Sequence, residues 1–194
     1  MIEEITGQSR FIVRKDVFAI GGAFRILTPE NKLLLYSRQK IFKLKEDIRV
    51  YNDLEMHDEV LFLNARQILD FSGAFDVIDS KTNEKVGALR RKGIRSMVRD
   101  KWEILDKYDN LFAYIEEDSM GMALLRRFLT NLIPQKYTIS EINTNNTLVK
   151  IKQAFNPFLH WFTVDFSPDF EKRLDRRLGI AAVILLLAIE GRQN

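Results

Sequence analysis

The amino-acid sequence predicts a mainly β fold: a closed antiparallel barrel of about twelve strands around a buried hydrophobic C-terminal α-helix. Three observations predict it. Short strand-like runs separated by Asn, Asp, Gly and Pro fill the first two-thirds of the chain. Several of these runs recur as similar hairpins. Residues 178–189 form an unbroken apolar run that is too apolar to face water and too short to span a bilayer.

The strands come first. Phe11-Ile12-Val13-Arg14-Lys15, Phe24-Arg25-Ile26-Leu27, Lys32-Leu33-Leu34-Leu35-Tyr36, Ile48-Arg49-Val50-Tyr51 and Val60-Leu61-Phe62-Leu63 are rich in β-branched and aromatic residues. A repeat orders them. Gly22-Ala23-Phe24-Arg25-Ile26-Leu27 recurs as Gly73-Ala74-Phe75-Asp76-Val77-Ile78. Asn-containing turns follow, at Asn31 and Asn83, and each second strand ends in basic residues, Arg38 and Lys40 in one copy and Arg90, Arg91 and Lys92 in the other. Looser copies run from Trp102 through Asp109-Asn110 to Ile115, and from Tyr137 through a turn at 143–146 to Ile151. Hairpins repeated at this spacing point to a barrel or sandwich. One segment departs from the β pattern. Residues 119–132 place Met120, Ala123, Leu124, Phe128, Leu129 and Leu132 at helical spacing, ahead of Pro134, and predict an inserted amphipathic helix.

The C-terminal run decides between architectures. Ser167-Pro168-Asp169 carries the chemistry of a helix start, and the predicted helix covers 168–190. Its twelve consecutive apolar residues extend about 18 Å at 1.5 Å per residue. A bilayer core needs about 20 such residues. A helix apolar on every face must be enclosed, and the lumen of a barrel of about a dozen strands encloses one. Gly179, Ala181, Ala182 and Ala188 would let the walls approach closely. The alternative is a membrane anchor. The domain expectation is one unit over 1–194, with strands within about 11–166.

Composition excludes several chemistries. The 194-residue chain has no cysteine, so disulfides, thiolate zinc sites and cysteine nucleophiles are absent. Its net charge of +3 is too small to imply nucleic-acid binding. The start at Met1-Ile2-Glu3-Glu4-Ile5 is acidic and unlike a signal peptide, which predicts a cytoplasmic location. The two histidines, His57 and His160, have no metal-ligand spacing, and Gly21-Gly22 lacks the Lys-Ser/Thr of a phosphate loop. No catalytic residue, metal or cofactor is expected.

One feature stands above this background. Arg90, Arg91, Lys92, Arg95, Arg99 and Lys101 fall within twelve residues, opposed by Asp100 and flanking Ile94, Met97 and Val98. Such a cluster beside an apolar tip suits anionic headgroups, each surface charge contributing about 1 kcal/mol. Arg126-Arg127 and Arg173, Arg176 and Arg177 are secondary candidates.

Phe162-Thr163-Val164-Asp165-Phe166-Ser167-Pro168-Asp169, followed by a charged turn and the apolar helix, resembles the C-terminal end of phospholipid scramblases and LURP-one-related proteins. The Gly-Ala-Phe hairpins and Trp102-Glu103-Ile104-Leu105-Asp106 are similar to their strand repeats. The resemblance covers about 11–189 and implies the Tubby C-terminal-like fold, a twelve-stranded barrel around a hydrophobic helix. It also implies phosphoinositide or another anionic lipid as the first ligand to test. Two departures argue against calcium-driven scrambling. Asn156-Pro157-Phe158-Leu159-His160-Trp161 has no carboxylate where scramblases carry acidic residues, and the palmitoylated cysteines are missing.

The sequence therefore predicts a non-enzymatic barrel, peripheral at a membrane, that binds anionic phospholipid or a protein partner through exposed loops. Nucleic acid is not an expected partner. The alternative is a lipid translocator with its C-terminal helix in the bilayer.

Overall fold

The computed structural model describes residues 2–16, 22–38, 47–66, 73–91, 102–117, 134–154 and 160–190. A short helix, α1 (Ile2–Gly7), precedes twelve strands: β1 (Arg10–Asp16), β2 (Ala23–Leu27), β3 (Leu33–Arg38), β4 (Ile48–Tyr51), β5 (Glu59–Ala65), β6 (Ala74–Asp79), β7 (Glu84–Arg91), β8 (Trp102–Leu105), β9 (Leu111–Glu117), β10 (Lys136–Glu141), β11 (Thr147–Gln153) and β12 (His160–Asp165). The chain then forms α2 (Arg176–Glu190). Each strand pairs antiparallel with its neighbours in sequence, and β12 pairs with β1 to close the barrel. An even number of strands lets the closing pair be antiparallel too.

The repeated hairpins are β2–β3, β6–β7, β8–β9 and β10–β11. Each turn holds a residue in the left-handed region: Asn31 (φ 67°), Asn83 (57°), Asp109 (67°) and Asn145 (59°). Asn and Asp tolerate that conformation better than other side chains, which is why the repeat was legible. The register shifts beside each turn, at Ile26/Leu27, Val77/Ile78, Ile104/Leu105 and Ile139/Ser140. A bulge at the same place in four hairpins tightens the twist that closure needs. These turns, with 52–58 and 166–175, lie at one end of the barrel. The strand ends that flank 17–21, 39–46, 67–72, 92–101, 118–133 and 155–159 lie at the other end; those segments fall outside the described residues, and so does the inserted helix expected over 119–132.

Inward side chains alternate along most strands, as in Phe11 and Val13, Leu61 and Leu63, or Ile139 and Tyr137, all buried. They surround α2, whose residues 178–188 are all buried. No helix among the described residues is long and apolar enough to cross a membrane. The apolar run is the core of the barrel, and a placing of this helix in a bilayer does not describe the structure. Two glycines let wall and helix meet. A Cβ on Gly87 of β7 would lie 2.7 Å from Leu178 and 2.6 Å from the Leu105 carbonyl; one on Gly179 would lie 2.6 Å from the Phe166 ring. Phe166 in turn packs edge-on against Phe11, with centroids 5.6 Å apart. At the turn end, α1 packs against α2, with Ile5 fully buried and Glu4 ion-paired to Lys32.

The helix starts later than Ser167-Pro168-Asp169 suggests. Residues 167–175 are turns, and Lys172 adopts φ 54°, which stops a helix. Asp169 caps that turn instead: its carboxylate accepts from the Arg173 amide (2.8 Å) and the Leu174 amide (3.1 Å). The N-cap of α2 is Asp175. Its side chain accepts from the Arg177 amide at 2.9 Å, and its carbonyl accepts from Gly179 at 3.0 Å.

Candidate functional site

Of the six basic residues singled out in sequence, the described structure contains Arg90 and Arg91. Arg90 points outward from β7 and lies opposite Glu103 of β8. Its Nε donates to Glu103 Oε2 at 2.6 Å, and Nη2 lies 2.6 Å from the same oxygen. Glu103 is only 5% exposed while Arg90 is 45% exposed, so the arginine neutralises a buried carboxylate. Arg91 is half-buried opposite Trp102 and also has a partner. Lys92, Arg95, Arg99 and Lys101 lie outside the described residues. They fall between β7 and β8 in the chain.

The secondary candidates at the mouth of the helix are consumed internally. Arg173 pairs with Glu141 at 2.5 Å, Arg176 with Asp169 at 2.9 Å and Arg177 with Asp79 at 2.6 Å. All three carboxylates are buried. Burial alone pushes the Asp79 carboxyl up. The Lys81 and Thr82 amides and the Arg177 guanidinium more than reverse this and hold it below the usual carboxylate range. These arginines fasten the barrel to its helix and are not available to a ligand. Arg126 and Arg127 lie outside the described residues.

The outer wall divides into two electrostatic halves. From β4 to the β8–β9 turn, cations sit beside acids. Arg66 contacts Asp76 (2.6 Å) and Asp109 (2.5 Å), Lys85 contacts the same two acids (3.0 and 2.8 Å), and Arg49 contacts Glu59 (2.5 Å). On β10, β11, β12 and β1, Lys136, Lys150 and Lys152 are exposed, and Arg14 lies over the Trp161 ring at 4.2 Å. Sequence reading missed this group, because its members are spread from residue 14 to residue 161. The alternation Lys150-Ile151-Lys152 was the available signal that two cations share one outward face.

Catalytic geometry is sparse. Among the described residues, no group of three or more His, Asp or Glu side chains is placed to hold a metal ion. His57 is exposed on the 52–58 turn, beside Asp53 at 3.8 Å. A shallow pocket of about 290 Å³ opens between the β10–β11 turn and the 166–175 segment, lined by Asn146, Leu148, Pro168, Phe170 and Glu171 among others. That is at the lower bound of small-molecule sites. Two of its charged residues, Asp169 and Arg173, are already paired.

The comparisons agree with this architecture. An X-ray structure of a protein from Arabidopsis thaliana matches with a TM-score of 0.53 at 9% identity, covering 94% of this chain and 91% of that one. At that identity the likeness concerns the fold. No curated protein matches. The family model described as LURP-one-related matches residues 33–187, from β3 to the last turns of α2. The hairpins, the closed twelve-stranded barrel and the enclosed helix thus meet in one assignment: the chain belongs to the LURP-one-related family.

Proposed function

We propose that this barrel is a non-enzymatic binding protein that docks peripherally on anionic phospholipid surfaces, using the basic segment between β7 and β8. The observation that supports this reading is an axial division of charge. The turns at the mouth of α2 hold more acids than bases, with Asp53, Glu55, Asp58, Asp106 and Glu171 among them. The segments joining strands at the opposite end hold the reverse: Lys40, Lys43 and Lys45 in one, and Lys92, Arg95, Arg99 and Lys101 in another, beside Ile94, Met97 and Val98. A dipolar molecule of this kind is steered with its basic end toward an anionic surface. Arg90 is excluded from the binding set because Glu103 requires it. Lipid translocation by α2 is also excluded from the reading, since that helix fills the barrel.

The test is co-sedimentation with phosphatidylcholine vesicles containing increasing phosphatidylserine. Binding should rise with the anionic fraction and fall as salt shortens the Debye length. Replacing Lys92, Arg95, Arg99 and Lys101 by Gln should weaken it by two to three orders of magnitude at most, at about 1 kcal/mol per charge. Equal binding by this variant and the parent protein would reject the proposal.

A further inference from the structure

We infer that the outer wall formed by β10, β11, β12 and β1 is a docking surface for an extended, acidic segment of a partner protein. The inference is independent of the lipid reading, because it uses a different face.

Uncompensated charge is the first observation. Lys136, Lys150 and Lys152 are exposed, and among the described residues no carboxylate forms an ion pair with any of them. The acid on this wall, Asp165, lies opposite Lys150 in register, but its carboxylate is engaged by Arg10 at 3.4 Å and by the Ser167 amide at 2.9 Å. At its edges, Glu116 of β9 lies opposite Thr138 and has a partner of its own, and Asp16 is bridged to Arg25 at 3.0 Å. By contrast, Arg49, Arg66, Lys85 and Arg90 each lie beside an acid, so the difference is local.

The register makes that contrast costly. Lys136 lies directly opposite Lys152, and Arg14 directly opposite Arg25. Like charges in directly opposed cross-strand positions destabilise a sheet. An anionic ligand removes that repulsion.

Shape and spacing select the ligand. Four adjacent strands of twelve curve through about a third of a turn, so a flat bilayer would meet only the crest of the wall. The side chains beside the cations are Thr138, Ser140, Thr163 and the half-buried Ile12 and Trp161, and among the described residues no large apolar side chain is fully exposed on this face to enter a membrane. Lys150 and Lys152 are alternate residues of one strand, about 7 Å apart. Carboxylates at alternate positions of an extended peptide have the same repeat. The Arg14 guanidinium lies over the Trp161 ring at 4.2 Å with its Nε buried, and a guanidinium held over a ring can still offer its Nη donors to a carboxylate.

The probe is a short fluorescent peptide alternating glutamate with serine, titrated with the full chain at low and at high salt. The triple variant Lys136→Gln, Lys150→Gln, Lys152→Gln should lose at least about tenfold in affinity. A control triple variant, Lys81→Gln, Lys107→Gln, Lys172→Gln, removes the same charge from the turns and should stay within about threefold of the parent. Circular dichroism melts should show the wall variant folded, with a midpoint no lower than the parent's, because removing opposed like charges relieves repulsion. Absence of peptide binding at low salt, or equal losses in the two variants, would overturn the inference. So would loss of phosphatidylserine-vesicle binding in the wall variant with peptide binding intact, which would give this face to lipid.

Discussion

Arg177 at the start of α2 donates to Asp79 at the end of β6 at 2.6 Å, joining the helix to the wall across 98 positions of sequence. The acid is 1% exposed and the arginine 24%. The two ends of this bond are not equivalent. Arg177 has a second acid, Asp175, at 2.6 Å, whereas Asp79 has no other cation among its contacts.

That asymmetry sets the first prediction. Arg177→Ala strands a buried carboxylate and should destabilise the barrel by about 3–5 kcal/mol. Asp79→Asn leaves Arg177 neutralised by Asp175 and keeps an oxygen for the turn amides, so it should cost about 1–2 kcal/mol. Urea unfolding of both variants measures the difference. Equal costs would show that the bond does not carry the load assigned to it.

Acid should weaken the same junction. The Asp79 carboxyl lies below its usual range in the folded chain. A depressed folded pKa contributes stability above the unfolded value, about 3.9, and loses it as pH falls toward the folded one. Asp76 behaves likewise: burial pushes it up, and the hydrogen bonds and charges of Arg66 and Lys85 more than compensate. Unfolding free energy should therefore fall steeply below about pH 4, and less steeply in Asp79→Asn. A variant curve parallel to the parent's would contradict this.

Gly179→Ala tests the contact between helix and wall. On helix propensity alone, the change should stabilise by about 1 kcal/mol. The new methyl would sit 2.6 Å from the Phe166 ring, so net destabilisation of about 1–3 kcal/mol is expected. Gly87→Ala should cost at least as much, because one of its obstacles is the Leu105 carbonyl of the backbone. Thermal melts of the two variants decide. A raised midpoint for Gly179→Ala would mean that the ring moves freely.

Ile184→Lys places a charge where the side chain is fully buried. With no partner in the lumen, the protein should fail to fold or lose most of a typical stability of about 5–15 kcal/mol. A helix lying in lipid would instead leave the barrel's melting unchanged. A native melt of this variant in water would therefore refute the enclosed helix.

The sequence by itself determined the local features. Asn31, Asn83, Asp109 and Asn145 mark turns because short polar side chains accept positive φ, and that preference does not depend on distant residues. Strand alternation and the unbroken apolar run likewise state which side chains must leave water, and the length of that run favoured a helix enclosed by protein over a membrane anchor. Tertiary structure decided everything that depends on closure and register. Pro168 and Asp169 read as a helix start, but the pairings of Asp169 with Arg176 and of Arg177 with Asp79, together with Lys172 at positive φ, move that start to Arg176. Arg90 read as a free cation until β8 placed the buried Glu103 beside it. The wall of Lys136, Lys150, Lys152 and Arg14 exists only because β12 returns to β1, bringing together charges separated by most of the chain. Charge acts through distance in space, and the sequence order of these residues carries almost none of that information.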